Sequence, residues 1–408
     1  MADAWASVRL WWGGTPDPVQ RWALPAGVIL LGALYPFYVG ILPSVFPVVS
    51  IAVVMLIFTM MALGLNIVVG YAGLLDLGYV AFYAAGAYIA AWFASLHFED
   101  ITFHFGSVGV DRDAPGIHIS VWLVLIVAGL FTTMVGILIG LPTLRLRGDY
   151  LAIVTLGFGE IIPQFVRNAD EAGIGFDLTH GTFGINPIDS VGFGERLGIL
   201  GLPEVYRSAS NRAELYYWTA LALLLFTVFC SVRLRDSRLG RAWIAIREDE
   251  TAAAAMGVPL MRTKTWSYAM GAFFGGVAGA FYAVFKSGAF PSDFYFQFSV
   301  FLLCMVILGG MGSVWGVIVG ALLLSWLDRE GLAKIGDYMG DITGSQIDVP
   351  KYAFGIYGAI IVVMMLIRPT GLIPERRHKI EMEEGVHDTP LYDVQHEGAL
   401  TDRSSEND

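Results

Sequence analysis

The chain alternates long apolar runs with short polar connections. Because about 20 apolar residues form a helix long enough to cross the hydrocarbon core of a bilayer, these runs are candidate membrane spans. They predict an all-α fold, a polytopic transmembrane helical bundle that occupies residues 22–374. The ten predicted spans cover residues 22–42, 46–69, 74–96, 120–144, 150–166, 215–232, 264–285, 294–308, 314–327 and 352–367.

Glycines interrupt the pattern at two similar places. Each of two hairpins is expected to enter from outside, turn on glycines at the cytoplasmic face and return, one at residues 70–73 and the other at 309–312. This similarity suggests an internal repeat with re-entrant or broken helices, as in many transporters. An eight-span arrangement is the alternative, if residues 294–327 form a re-entrant unit rather than two short spans.

One charged stretch lies between the two apolar halves. Residues 233–257 carry five arginines and four acidic residues, so they must lie in water. The stretch is rich in alanine, Asp236 or Ser237 can cap its first turn, and Gly257 with Pro259 can end it, so one helix is predicted. Two interpretations stay open: a docking point for a soluble partner, or a solvated connection that only fixes the topology.

The basic residues set the expected orientation. Lysine and arginine near span ends favour the cytoplasmic side. This rule predicts that both termini are cytoplasmic, with residues 1–21 as an N-terminal segment, residues 233–262 as a cytoplasmic central segment and residues 375–408 as an acidic, disordered tail. The basic residues placed inside, besides those of the central segment, are Arg9, Arg21, Arg145, Arg147, Arg368, Arg376, Arg377 and Lys379.

Composition supports a membrane protein. Of the 408 residues, 56% are hydrophobic and 15% are charged, and the mean hydropathy is +0.62. Soluble domains have roughly 25% charged residues. The net charge of −11 sits mainly in loops and the tail, and it indicates no nucleic-acid partner. Cys230 and Cys304 lie in apolar runs, as small hydrophobic side chains do.

The sequence lacks the usual signatures of catalysis. There is no glycine-rich phosphate loop with a lysine, the seven histidines show no metal-ligand spacing, and no nucleophile–base arrangement stands out. We therefore expect no enzyme activity, no catalytic residue, no metal and no cofactor of the chain's own.

A few polar residues are predicted at membrane depth, where they are costly and indicate function. Glu160 precedes Pro163, which kinks or ends a helix, so its carboxylate could line a path and bind an amine. Alternatively, it is a hydrogen-bonded residue that pins two helices together. For Asp76, capping of the Gly78 or Tyr79 amide is the simpler interpretation. The candidates for a substrate pathway are Asn66, Asp76, Thr155 and Glu160, with Gln164 also at membrane depth.

Five stretches together carry a family resemblance. They are residues 70–88, 144–162, 237–257, 306–313 and 368–374. Their order and spacing resemble the permeases of bacterial high-affinity branched-chain amino-acid ABC transporters, over residues 50–374. The same superfamily includes permeases for urea, short amides and other amino acids, so the resemblance indicates the type of transporter more directly than its substrate. The chain departs from the family pattern at residues 178–185 and at Pro163.

The resemblance implies a complex in the bacterial inner membrane. This chain would be one of two paired, non-identical permease subunits in the lipid bilayer, with two ABC ATPase subunits that bind ATP inside and a soluble substrate-binding protein outside. The central segment would be the coupling helix, seated in a groove of an ATPase. Its candidate contact residues are Arg238, Gly240, Arg241, Ala242, Arg247, Glu248, Asp249 and Gly257.

Two other classes of membrane protein are alternatives to this hypothesis. A secondary transporter would use Glu160 as its ion or proton site, but the charged central helix and the lack of further buried charge disfavour it. A non-transporting membrane scaffold is disfavoured by the glycine-rich, broken helices.

Overall fold

A computed structural model of the protein describes residues 17–43, 45–107, 110, 113–146, 148–170, 177–192, 213–343 and 349–374. The predicted acidic tail, residues 375–408, and most of the predicted N-terminal segment lie outside these residues. The described residues form thirteen α-helices: α1 Asp17–Tyr38, α2 Val49–Asn66, α3 Val80–Phe93, α4 Val121–Thr143, α5 Asp149–Asn168, α6 Ala213–Asp236, α7 Arg238–Glu248, α8 Glu250–Ala255, α9 Leu260–Lys286, α10 Phe296–Gly309, α11 Val314–Trp326, α12 Leu332–Thr343 and α13 Ala353–Ile367.

The helices form the polytopic bundle of a multi-pass membrane protein. Six of the described helical stretches are long and apolar enough to cross a bilayer, and two shorter apolar helices, Ile29–Ile41 and Val80–Phe93, accompany them. The predicted count of ten spans is therefore not confirmed. The six are Val49–Tyr71, Val121–Thr143, Ala213–Asp236, Leu260–Lys286, Pro291–Gly309 and Val349–Ile367.

Small residues let α9 lie at the centre of the bundle. An added Cβ on Gly86 of α3 would overlap the carbonyl group of Gly276 in α9, and one on Gly279 would overlap the carbonyl group of Tyr83. Backbones can approach this closely only where side chains are missing. The 27 residues of α9 extend about 40 Å at 1.5 Å per residue, so this helix joins the two ends of the bundle.

The predicted third span is a broken one. Residues 74–96 were expected to be helical throughout, but α3 begins only at Val80. The chain leaves α2 through a π-helical turn, Ile67–Tyr71, and Gly73 then adopts a positive φ of 67°, which ends helical structure. The fourteen residues of α3 rise about 21 Å, too little for a hydrocarbon core of about 30 Å.

A small sheet modifies the all-α prediction. Strands β1 (Ala94–Ser95), β2 (Thr102–Phe105) and β3 (Gly116–Ile119) form three strands in the order β1-β3-β2. The pair β1–β3 is antiparallel and the pair β2–β3 is parallel. These strands occupy the polar connection after α3, where residues alternate between buried and less buried positions along β3, as strands with one covered face do.

The central segment contains two helices, so the prediction of one helix was wrong. Asp249 separates α7 from α8, since its Oδ1 accepts hydrogen bonds from the backbone amides of Thr251 at 2.7 Å and Ala252 at 3.0 Å. This arrangement starts a new helix. The predicted cap at Ser237 is confirmed, because its Oγ accepts from the Gly240 amide. The predicted stop is confirmed too, because Gly257 has a φ of 85° just after α8.

The ninth predicted span continues further than expected. Its end was placed at residue 327, but the helical chain runs on through a π-helical turn, Leu327–Gly331, into α12. A π-helical turn holds one residue more than an α-helical turn, and such turns frequently lie at functional sites.

Candidate functional site

Side chains of the segment itself, of α5 and of α10 hold the non-helical residues between α2 and α3. Asp76 is 1% exposed, and its Oδ1 accepts from the Gly78 amide at 2.8 Å, so the predicted capping role is confirmed. Thr155 of α5 accepts from the Leu77 amide at 3.0 Å, and Ser299 of α10 accepts from the Val80 amide at 2.9 Å. These contacts satisfy backbone donors that have no helical partner there.

The two glycine turns touch one another. Asn66, the last residue of α2, is fully buried, and its Oδ1 accepts from the amide of Gly312 at 2.9 Å. An added Cβ on Gly70 would lie 2.6 Å from the Gly312 nitrogen, so residue 70 must lack a side chain. Asn66 therefore joins the turn at residues 70–73 to the turn at 309–312.

Residues 368–374, which follow the last helix, pack against the second glycine turn. The amide of Leu372 donates to the carbonyl oxygen of Leu308 at 3.0 Å, and that of Ile373 donates to Gly309 at 3.1 Å. Gly371 has a φ of 83°, and an added Cβ there would overlap the Cα of Gly310. Residues 368–374 are thus hydrogen-bonded to residues 306–313.

One arginine of the central segment reaches the first glycine turn. Arg247, near the end of α7, donates from Nη1 to the carbonyl oxygen of Gly70 at 2.5 Å. An added Cβ on Gly73 would lie 2.8 Å from the Arg247 Cγ, so the arginine stem packs against the turn as well. The five stretches singled out in the sequence therefore form one connected region, in which α7 contacts the turn at 70–73 and α5 contacts Leu77 and Gly78 just after that turn.

The inner face of the central segment is fixed to α9 and α6. Trp243 is fully buried and donates from Nε1 to the Thr263 carbonyl oxygen at 2.8 Å. Lys264, 3% exposed, forms an ion pair with Glu250 at 2.8 Å. Gly240 is buried, and an added Cβ there would overlap the last backbone carbonyls of α6. This predicted contact residue therefore serves the packing of α7 against α6.

The outer face of the central segment carries mixed charge. Arg241 donates to the Asp236 carbonyl oxygen at 2.9 Å yet stays exposed. The Thr251 hydroxyl, followed by the Ala252 and Thr251 amides, lowers the pKa of the Asp249 carboxyl by hydrogen bonding to its charged form. Ala242 is half-buried. The exposed residues among the predicted contacts are Arg238, Arg241, Arg247, Glu248, Asp249 and Gly257.

Glu160 lies apart from the other pathway candidates. Asn66, Asp76 and Thr155 are buried around the glycine turns, whereas Glu160 is on the exposed face of α5. It lines an open cavity of about 440 Å³ together with Ile161, Gln164, Phe165, Asn168 and Ala169. Within the described residues, no group of three or more histidine, cysteine or acidic side chains could hold a metal ion.

The sequence reasoning missed one polar group. Asp293, Asp328 and Arg329 line a second cavity, at the end of α9 remote from the central segment. The sequence signal that could have indicated this site is the run of three charged residues at 328–330, directly after an apolar run. Because the span was predicted to end at 327, these charges counted as part of a connection.

Comparisons with known proteins agree with this architecture. A family model described as "Branched-chain amino acid transport system / permease component" matches residues 48–365. The permease protein LivM of the high-affinity branched-chain amino acid transport system of Escherichia coli K12 is 35% identical over 376 residues, which cover 88% of this chain and 76% of that protein. LivM of Salmonella typhimurium is 37% identical over 342 residues, 83% of this chain and 72% of that protein.

A second kind of permease also matches in part. LivH of Salmonella typhimurium, a permease protein of the same named system, is 26% identical over 177 residues, which cover 43% of this chain and 52% of LivH. No solved structure gives a significant match. The extent of the family match and the identity to two LivM proteins, together with the bundle described above, show that the chain belongs to the family of branched-chain amino acid transport system permease components.

Proposed function

We propose that this protein is one of two paired permease subunits of an ATP-driven importer for leucine, isoleucine and valine in the bacterial inner membrane. Both termini and the central segment face the cytoplasm. The observation that carries the proposal is the contact of Arg247 with Gly70, because it joins an exposed, charged helix pair to the buried glycine turns. Membership of the permease family supports the same cargo.

In this proposal the central segment transmits force from partner ATPases. The exposed side of α7 and α8 docks on an ATPase, which binds and hydrolyses ATP. Trp243 and Lys264 fix the helix pair to the start of α9, and Arg247 fixes it to residue 70, so the pair moves as one body. A substrate-binding protein delivers the amino acid at the opposite side.

The non-helical segment between α2 and α3 is the element that would change conformation between the states of the transport cycle. Single hydrogen bonds that backbone amides donate to Asp76, Thr155 and Ser299 hold it, rather than a continuous helical ladder. A few discrete contacts can exchange for others, whereas a packed core resists continuous deformation. Displacement of residue 70 by Arg247 would therefore shift this segment relative to α5 and α10.

The exposed face of α5 is the proposed contact with the second permease. Glu160, Gln164 and Asn168 recur every fourth residue, so they form one polar stripe on this face. Polar side chains are costly against lipid, and a neighbouring subunit would cover them. A carboxylate between two permeases would also suit the ammonium group of an amino acid.

Uptake by the reconstituted complex tests this function. The chain, its paired permease, the two ATPases and the binding protein are placed in liposomes, and labelled leucine is followed with and without ATP. Leucine and valine uptake that requires ATP supports the proposal. ATP-dependent uptake of urea or a short amide, without uptake of leucine or valine, would keep the ATP-driven importer but change its substrate. Uptake driven by an ion gradient without ATP would favour a secondary transporter that uses Glu160.

A further inference from the structure

A second cavity lies at the end of the bundle remote from the central segment. It measures about 460 Å³ and lies between α2, the end of α9, the start of α10, the π-helical turn Leu327–Gly331 and the start of α13. This volume falls within the range of about 300–1,000 Å³ that small-molecule sites usually have. Helices α7 and α8 precede Leu260, and Tyr282 is the α9 residue that lines the cavity, so about 33 Å of α9 separates the two regions at 1.5 Å per residue.

Aromatic rings form the apolar wall of the cavity. The ring of Phe298 lies 5.0 Å from that of Phe58 and 5.2 Å from that of Tyr83, measured between centroids. Phe301 adds an edge contact to Phe58 at 6.2 Å. Such rings give a branched apolar side chain a large contact area without requiring hydrogen bonds.

Opposite charges lie on the polar side of the same cavity. The Arg329 guanidinium stands over the Phe58 ring at 5.3 Å, and its Nε lies 3.3 Å from Asp328 Oδ2. Asp328 also accepts a hydrogen bond from the Tyr357 hydroxyl at 2.6 Å. The Arg329 side chain remains 39% exposed, so part of its five-donor fork faces the open side.

A second ion pair completes the polar side. Both carboxylate oxygens of Asp293 contact the Lys286 ammonium group, at 2.6 and 2.7 Å. Lys286 does not line the cavity but offsets the charge of Asp293, and Arg329 offsets that of Asp328, so an ion of a single charge gains little. A ligand with a carboxylate and an ammonium group can instead pair with Arg329 and Asp328 at once.

The backbone brings these groups together by a local irregularity. Asp328 and Arg329 are consecutive, and in a regular helix consecutive side chains point about 100° apart. Here they lie in the π-helical turn, and both line the cavity. The two π-helical turns of the described chain thus lie at the glycine turn contacted by Arg247 and at this cavity.

We propose that this cavity binds a free zwitterionic α-amino acid with an apolar side chain. Arg329 binds the carboxylate, Asp328 binds the ammonium group, and Phe58, Phe298 and Phe301 contact the side chain. This inference rests on the proposed function, because it places a recognition site for the cargo within this subunit. A zwitterionic lipid headgroup carries the same two charges and is the occupant that the experiment must separate.

Saturation-transfer NMR on the complete permease–ATPase complex in nanodiscs tests the site without ATP or binding protein. We expect transfer to the methyl groups of leucine, and a transfer at least fivefold weaker to leucinol, which lacks the carboxylate, and to 4-methylpentanoate, which lacks the ammonium group. Arg329→Gln and Asp328→Asn should each reduce the leucine signal at least fivefold. Lys334→Gln, at a charge that does not line the cavity, should leave it unchanged.

Several outcomes would overturn the inference. They are equal transfer to leucine and both analogues, an unchanged leucine signal in Arg329→Gln, or a lipid that stays bound in native mass spectrometry while excess leucine has no effect. If the Arg329→Gln complex does not assemble, the Arg329→Lys variant and the comparison of leucine with its two analogues on the unmodified complex still test whether the cavity binds leucine. ATP-dependent leucine uptake without leucine transfer to the cavity contradicts the site alone, whereas absence of ATP-dependent leucine uptake contradicts the proposed function.

Discussion

The guanidinium of Arg247 donates a hydrogen bond of 2.5 Å to the backbone carbonyl oxygen of Gly70. These residues are 177 positions apart, and they join the charged central segment to the first glycine turn. Asn66 continues the connection, since its side chain accepts from Gly312 in the second turn. In the proposed mechanism, a displacement of α7 would be passed to both glycine turns through these two hydrogen bonds.

Thr155→Val should destabilise the protein by about 1–3 kcal/mol. The substitution keeps the shape but leaves the part-buried Leu77 amide without its acceptor, and an unmade hydrogen bond costs about that much. Thr133→Val is the matched control, because its hydroxyl only donates to Gly129 within its own helix. Thermal unfolding of both purified variants in detergent checks the difference. Equal midpoints for the two would contradict the role given to Thr155.

The cap at Asp249 should be independent of pH from 8 to 5. Hydrogen bonding lowers the pKa of this carboxyl in the folded protein, so its stabilising effect is present above the unfolded pKa of about 3.9. The effect is lost only as the pH falls through the lower folded pKa. Hydrogen-exchange protection factors at Thr251 and Ala252 should be constant over that range and lower in Asp249→Ala. Protection that fades between pH 7 and 5 would be inconsistent with this cap.

Glu160→Gln should lower leucine uptake at least threefold while the complex still assembles. The amide keeps the size of the side chain but removes the charge proposed to meet the ammonium group. Glu99→Gln, at an exposed loop position, is the control. Uptake and subunit composition are measured in the same preparations. Wild-type uptake by Glu160→Gln would contradict a role of this carboxylate in the substrate pathway.

Charge reversal on the outer face of the central segment should release the ATPases. Arg241→Glu and Glu248→Lys should each lower ATPase retention about tenfold or more, since reversing an interfacial charge costs a few kcal/mol and about 1.4 kcal/mol equals a factor of ten. Co-purification of the ATPase with tagged permease measures this. Glu99→Lys should retain the ATPase fully. Unchanged retention in both reversal variants would refute docking at this face.

Local signals in the sequence predicted several features well. Ser237, Gly257 and Asp76 act through their immediate neighbours, so their capping and stop roles could be recognised from spacing alone. The apolar runs likewise predicted where most membrane helices lie. The glycine turns were recognised as a pair, although their contact through Asn66 was not.

Features that depend on tertiary contacts were not predictable. The non-helical residues before Val80 look as apolar as a helix, and the distant residues Thr155 and Ser299 accept backbone amides that have no helical partner there. The helix break at Asp249 was hidden within an alanine-rich stretch with high helix propensity. Arg329 was overlooked because a π-helical turn, which has no clear sequence signal, carries it into a cavity.

The number of leucine molecules transported per ATP hydrolysed tests the connection through Arg247 most directly. In liposomes that hold the complete complex, Arg247→Ala should keep ATP hydrolysis within about twofold of wild type while the transport ratio falls at least tenfold. Arg262→Ala, an exposed arginine at the start of α9, should keep both values. An unchanged ratio in Arg247→Ala would contradict the proposal that ATPase movement reaches the membrane core through the Arg247–Gly70 hydrogen bond.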